Sequence, residues 1–252
     1  LLGRVWQLEA NRANVEMFDW ADWELIYDLP KKGRKDTELD SEESIVTALR
    51  DALVNAEQSI MVLSPYFVPR EPAMKVMRQL TERGVEVIII TNSYASNNQK
   101  LVHSGYAPQR KKMLEMGVKL YEIRPDAKPI GVARLDEEEN DDSIGTMHIK
   151  AFVVDERTFF LGSFNFDPRS AYINTESGVI MDSPRLGGWG VKRVKMMLPT
   201  AAYELKLTDN YKINWHTVKD GEEVVYTKEP ETSGWQRFKV RFFSILPIKG
   251  QL

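Results

Sequence analysis

The 252-residue chain reads as an α/β protein: a mixed sheet flanked by helices, with a small β-rich and helical extension toward its C-terminal end. Three features predict this. Short apolar runs alternate with segments of helical periodicity up to about Pro184. One of these runs, 85–90, is apolar at almost every position, as a strand covered on both faces requires. Beyond Pro184 the pattern changes to short alternating stretches.

Residues 1–40 read as a connecting segment, aromatic and acidic over 15–23 and charged and breaker-rich over 30–35. Residues 41–185 read as the α/β domain. It opens after Ser41, Glu43 and Ser44 with Ile45, Leu49, Ala52, Leu53 and Ala56 at helical spacing. Residues 59–63 predict a buried strand, closed by Ser64-Pro65, and 72–83 a helix with proline first and Gly84 past its end. The rhythm repeats with a helix over 106–116, stopped by Gly117, and a strand over 118–123. The acidic run 136–142 reads as a solvated loop rather than a metal site. Strands follow over 148–154 and 158–161, joined by the turn Asp155-Glu156-Arg157, and then over 175–182. Within the extension, 186–252, short strands are expected over 201–207, 213–218 and 223–227, and a final helix over 232–246, ended by Pro247.

Composition narrows the function classes. Hydrophobic residues at 42% and charged residues at 28% are ordinary for a globular protein. A net charge of -3 gives no signal for nucleic acid. The absence of cysteine excludes disulfides and thiolate zinc sites. There is no 18-residue apolar run and no visible leader, and the start at Leu1 rather than methionine predicts a piece of a longer protein.

The chemistry is concentrated in His148-Ile149-Lys150-Ala151-Phe152-Val153-Val154-Asp155, an HxKxxxxD pattern. Alternate residues of a strand project from one face, so His148 and Lys150 can address one ligand. Asp155 has the opposite parity and is expected to hold the turn. Ser163 and Asn165 share parity on a neighbouring strand end. A lysine cation and an asparagine amide suit the non-bridging oxygens of a phosphate, and imidazole serves as nucleophile or acid near neutrality. Glu176 is placed to accept a hydrogen bond from the other ring nitrogen. Six fixed positions in a chain with three histidines match by chance on the order of one time in 10^5, which favours function over an incidental strand histidine.

These residues resemble the phospholipase D superfamily. The wider chain is similar to the C-terminal half of bacterial cardiolipin synthases of the C-type group. That similarity rests on Ser64-Pro65-Tyr66-Phe67-Val68-Pro69, Thr91-Asn92-Ser93, Val102-His103-Ser104-Gly105-Tyr106-Ala107 and Gly162-Ser163-Phe164-Asn165-Phe166-Asp167-Pro168-Arg169-Ser170. The resemblance implies a phospholipase D-like half that shares a pocket with a second half. One histidine attacks phosphorus to form a phosphohistidine, and the other protonates the leaving alcohol. By motif, His148, Lys150, Asp155 and Glu176 carry over as catalytic, and Ser163 and Asn165 as phosphate-binding. His103, read as lying in a loop between a strand and a helix, and Tyr66 are candidates for headgroup contacts, although a surface or helix-capping role for His103 and core packing for Tyr66 explain them equally well. No metal or cofactor is implied.

The sequence departs from the family in one respect. It holds no second HxK: His103 precedes Ser104-Gly105 and His216 precedes Thr217-Val218. The other half is expected from a missing N-terminal region or from a homodimer mate. The expected reaction is phosphatidyl transfer, forming cardiolipin from phosphatidylglycerol and another phospholipid, at the surface of a bacterial inner membrane. The rivals are a phospholipase D-type hydrolase or nuclease, and an inert half awaiting its partner. In the final helix Trp235, Phe238, Phe242 and Ile245 share a side, with Arg237, Lys239, Arg241 and Lys249 among them. Such a helix suits either an anionic membrane surface or docking on its own domain.

Overall fold

A computed structural model describes residues 20–29, 44–127 and 146–245. The acidic run 136–142, Ser41, Glu43, Pro247 and Lys249 lie outside these residues. Among the described residues ten strands form one sheet: β1 (Asp22–Tyr27), β2 (Ser59–Leu63), β3 (Glu86–Asn92), β4 (Lys119–Ile123), β5 (Ala151–Val154), β6 (Thr158–Gly162), β7 (Ser177–Asp182), β8 (Ala202–Leu207), β9 (Ile213–Lys219) and β10 (Glu222–Tyr226). Their spatial order is β1-β7-β6-β5-β2-β3-β4-β8-β9-β10. The β2–β3 and β3–β4 pairs are parallel, and the other pairs are antiparallel.

The helices are α1 (Ile45–Val54), α2 (Glu71–Glu82), α3 (Lys100–Tyr106), α4 (Arg110–Glu115), α5 (Pro168–Tyr172), α6 (Pro184–Ala201) and α7 (Gly234–Ile245). Ser44 caps α1 through its hydroxyl, which accepts from the Val46 N–H, and Pro72 sits in the first turn of α2. Parity along the central strands separates two cores. Ile60, Val62, Val87 and Ile89 face a core that includes Leu49 of α1 and Met77 of α2. Met61, Leu63, Ile88 and Ile90 face another that includes Val191 and Leu198 of α6. Side chains of this kind each contribute roughly 1.5–3 kcal/mol when fully buried, so the double-sided burial of β2 and β3 makes them the anchor of the fold.

Several elements differ from the sequence expectation. The connecting segment contributes β1, an edge strand paired with β7. The predicted helix over 106–116 is α3, a short 3-10 turn over Ala107–Gln109 and α4. His103 therefore lies inside α3, not in a loop. Between Pro184 and Ala201 the chain forms an 18-residue helix, α6, where no element was expected. Strands β8 to β10 then lengthen the same sheet beyond β4.

Candidate active site

The register of the sheet brings the sequence motifs to one rim. Leu63 at the end of β2 pairs with Ala151 at the start of antiparallel β5. The carboxyl ends of β2 and β3, the segment leading into β5 and the end of β6 thus share an edge of the sheet. Open α/β sheets bind ligands at such an edge.

Two clamps hold the lead-in segment there. Asn92 at the end of β3 donates from its amide to the Met147 carbonyl at 3.0 Å, and its amide oxygen accepts from the Met147 N–H at 3.0 Å. The Thr146 hydroxyl donates to the Ser96 carbonyl at 2.9 Å. The Lys150 carbonyl accepts from the Gly162 N–H at 3.1 Å, tying the end of β6 to the same segment. His148, immediately after the Asn92 clamp, is exposed. Lys150 reaches back so that its Nζ lies 3.5 Å from His148 Nε2 and 3.0 Å from the His148 carbonyl oxygen. Partial burial lowers the pKa of the Lys150 ammonium, and the carboxylates of Glu176 and Asp167 oppose that shift.

Ser163 and Asn165 follow the end of β6, the strand next to β5. The intervening Phe164 and the following Phe166 turn into the core, where their rings meet edge to face. Val68 N–H donates to the Phe166 carbonyl at 2.7 Å, so the 64–68 stretch braces the 163–167 stretch. Gly162 and Gly178 are paired across β6 and β7. A Cβ on Gly178 would lie 2.3 Å from the Phe160 ring and one on Gly162 2.7 Å, because that ring stacks on Phe152 above the glycine pair. The small residue before Ser163 is thus a packing requirement that fixes where the hydroxyl sits.

Glu176 is buried, and its carboxylate accepts from the Ser163 hydroxyl and from the Asn174 amide at 3.4 Å. Among the described residues no hydrogen bond joins Glu176 to His148. The expected bond to the imidazole is replaced by one to Ser163, which lies closer along the β6–β7 ladder. The Asn165 amide oxygen is buried without a partner among the described residues, leaving this side chain with hydrogen-bonding capacity that the chain does not use. Asp167 caps α5 by accepting from the Ser170 N–H at 2.8 Å; burial raises its pKa, and Glu176 adds to the shift.

Two of the candidate residues stand apart from the His148–Lys150 pair, Asp155 at the turn that its parity predicts and His103 in the interior. Asp155 lies beyond the far end of β5, away from the His148 rim. Its carboxylate accepts from the backbone N–H groups of Glu57, Gln58 and Ser59 at 2.9, 2.7 and 2.8 Å. Burial pushes its pKa up, but these three bonds and the Arg83 cation outweigh that and hold it below the ordinary carboxylate value. It is a positioning residue that fixes the entry to β2, not a group that touches substrate. His103 is 1% exposed and cannot meet a headgroup. Its Nε2 lies 2.8 Å from Glu229, in a buried cluster with Arg110, Glu122 and Trp215. Tyr66 remains half-buried at the rim, its hydroxyl bonded to Asn98.

Asp28 is a supporting residue that the sequence did not suggest. Buried just after β1, it accepts from the Glu176 N–H at 3.0 Å and the Ile45 N–H at 3.2 Å, joining the site to the start of α1. Asn92 is a second, although it sits in a Thr-Asn-Ser stretch at a strand end, where a polar clamp is a readable signal.

Comparison with known proteins places this geometry in a family. Residues 49–196 match the family model described as cardiolipin synthase, PLD-like domain. The chain is 37% identical over 230 residues to cardiolipin synthase C of Escherichia coli K12, covering 91% of this chain and 48% of that protein. It is 33% identical over 224 residues to a protein of Helicobacter pylori 26695, covering 88% of this chain and 42% of that one. The chain thus spans about half the length of the curated relatives it matches. Among solved structures, phosphatidylserine synthase from Haemophilus influenzae Rd KW20 superposes with a TM-score of 0.54 at 14% identity, over 90% of this chain and 45% of that one. Nuc, a phospholipase D family member from Salmonella typhimurium, superposes with a TM-score of 0.52 at 18% identity, over 74% of this chain and 99% of that one. The fold, the rim that gathers His148 and Lys150, and the family match over 49–196 agree: the chain belongs to the phospholipase D-like domain family of cardiolipin synthases.

Proposed function

We propose that this chain supplies one half of a phosphatidyltransferase site that forms cardiolipin from phosphatidylglycerol and a second phospholipid. The observation that carries the reading is the exposed imidazole of His148 with the Lys150 ammonium 3.5 Å away. An imidazole next to a fixed cation is suited to attack a phosphodiester, because the cation stabilises the charge that builds on the non-bridging oxygens.

In the first step an imidazole nitrogen forms a bond to phosphorus and the bond to the leaving alkoxide breaks. The leaving oxygen takes its proton from the second histidine, contributed by the other half. In the second step the hydroxyl of the acceptor lipid attacks the phosphohistidine, gives its proton to that second histidine and frees His148. Lys150, Asn165 and Ser163 bind the phosphate, and Glu176 acts by orienting Ser163. The second HxK comes from an upstream half or from a dimer mate, and the enzyme works as a peripheral protein on the bacterial inner membrane. No metal enters the scheme, so chelators should leave the rate unchanged.

The test is product analysis on phosphatidylglycerol vesicles, with the chain alone and with its upstream half, each beside His148→Ala. Cardiolipin formed only with wild-type His148 supports transfer. Phosphatidic acid in its place moves the assignment to a hydrolase. Cardiolipin made equally by the His148→Ala protein removes His148 from the chemistry.

A further inference from the structure

The exposed aromatic ridge of α7 stands apart from the site chemistry. Trp235, Phe238 and Phe242 are 62%, 56% and 52% exposed. Their i, i+3, i+7 spacing puts them on one face, where successive rings stack at centroid distances of 5.4 and 6.4 Å. The opposite face is the docked one: Val240 is buried, and α7 packs along α3. The helix is therefore held on its own domain while presenting its largest apolar side chains outward.

Charge and area indicate what covers the ridge. The helix contains Arg237, Lys239 and Arg241 and no acidic residue, in a chain whose net charge is -3. Lys239 and Arg241 are exposed on the two flanks of the ridge, with Lys239 Nζ 5.4 Å from the Trp235 ring centroid. The three rings expose roughly 350 Å² together, well short of the roughly 800 Å² that each partner of a stable protein interface usually buries. Aromatic side chains flanked by cations instead match the boundary between lipid headgroups and acyl chains of an anionic bilayer.

Position gives the ridge a use. His103 of α3 contacts Glu229, in the loop that leads to α7, so the helix is tied to the sheet from within. The loop between β3 and α3 accepts the Thr146 hydroxyl at Ser96, two residues before His148. Both α7 and the segment that carries His148 are thus tied to the stretch that follows β3. Among the described residues no helix is long and apolar enough to cross a membrane.

We propose that α7 is the membrane-docking surface of this half, inserting Trp235, Phe238 and Phe242 among the lipids of an anionic bilayer while Lys239 and Arg241 meet the phosphates. This rests on the peripheral membrane association proposed above and names the surface responsible. The test is co-sedimentation of the full chain with phosphatidylcholine vesicles with and without a minority of phosphatidylglycerol. It compares wild type with Trp235→Ala/Phe238→Ala/Phe242→Ala and with Lys239→Glu/Arg241→Glu.

The aromatic triple variant should bind at least tenfold more weakly to the anionic vesicles. The charge-reversal variant should lose about fivefold per site at low salt and much less at high salt. Circular dichroism and sedimentation velocity without lipid should match wild type for both. If the triple variant does not fold, the charge-reversal pair decides. Wild-type binding by both variants overturns the proposal and leaves membrane association standing through another surface. Failure of wild type to bind any vesicle overturns both. An oligomer present in wild type and lost in the triple variant assigns the ridge to a protein partner and also overturns it.

Discussion

Two histidines at the same rim of the sheet have opposite surroundings. His148 is exposed, and its Nε2 lies 3.5 Å from the Lys150 ammonium. His103 is buried between the rings of Tyr94 and Tyr106, with a carboxylate at 2.8 Å and Arg110 beside it. The interior histidine meets its carboxylate through Nε2 and keeps Nδ1 buried without a partner among the described residues, so it is closed to any ligand and holds elements together. The exposed one, with the Lys150 cation beside its Nε2, is open to a ligand. On the proposed function, this difference in access separates chemistry from architecture where residue type cannot.

The strongest way to break the comparison is to remove the His148 imidazole and, separately, the Arg110 cation beside His103. In the assembled enzyme His148→Ala should lower the rate of transfer by about 10^4-fold or more, roughly 5–6 kcal/mol of barrier, with melting temperature within a degree or two of wild type. A large drop in melting temperature would mean that His148 is architectural after all. Arg110→Met should do the reverse. The guanidinium donates to Glu122 at 2.6 Å and to Glu229 at 2.5 Å, and its loss strands two buried carboxylates. At Glu229, burial raises the pKa, but Arg110 and His103 outweigh it and hold it well below the usual carboxylate range. Removing one partner of such a cluster costs about 3–5 kcal/mol, which urea denaturation would read directly.

A smaller effect tests the third member of the HxKxxxxD pattern. Asp155→Asn keeps a residue tolerant of the left-handed backbone found there, φ 51°, but weakens three charge-assisted bonds. A loss of about 1–2 kcal/mol of stability is expected, with any surviving transfer still dependent on His148. The folded-state pKa of Asp155 is lowered, so its contribution is complete above the ordinary carboxylate pKa and is lost only as pH falls through the lowered value. The stability gap between wild type and Asp155→Asn should therefore persist at neutral pH and close in strong acid. A gap that stayed constant down to strong acid would show that the charge is not what the turn uses.

What could be read from the sequence follows the range of the interactions. β2 and α2 were legible because their signals, an apolar run and a proline-to-glycine span, lie within the elements themselves. The HxK pair was legible for the same reason. α6 was not, because Gly187, Gly188, Gly190 and Pro199 read as breakers. In the fold a Cβ at Gly187 would lie 2.4 Å from the Glu156 carbonyl oxygen, so its lack of a side chain serves the packing of α6 on the β5–β6 turn. β1 was hidden because an edge strand with a single buried residue, Ile26, shows no apolar alternation. His103 was misread as a surface group because its partner Glu229 lies 126 residues later, and Asp28 was missed because it holds Glu176 across 148 residues. Asp155 carried its motif signal for a bond made 97 residues away, to Gln58, which parity could orient but not locate.

The finest difference between the two regions is one of protonation at Lys150. Burial lowers its pKa, while Glu176 and Asp167 oppose the shift. If the ammonium is what stabilises the phosphate, the rate should fall on the alkaline side at a pH below the value of about 10.4 usual for lysine. Glu176→Gln removes a carboxylate that favours the charged form, so the alkaline limb should move to still lower pH. Asp167→Asn should move it in the same direction. Lys150→Arg should abolish this limb at some cost in rate, because a guanidinium does not deprotonate in this range. The discriminating measurement is the pH profile of kcat/KM for these proteins. A limb that stays in place in both carboxylate variants would mean that the titrating group is not Lys150. Arg110, sealed against its own carboxylates, offers no such handle: burial lowers its pKa but Glu122 and Glu229 raise it further, so it stays charged across the whole range in which Lys150 titrates.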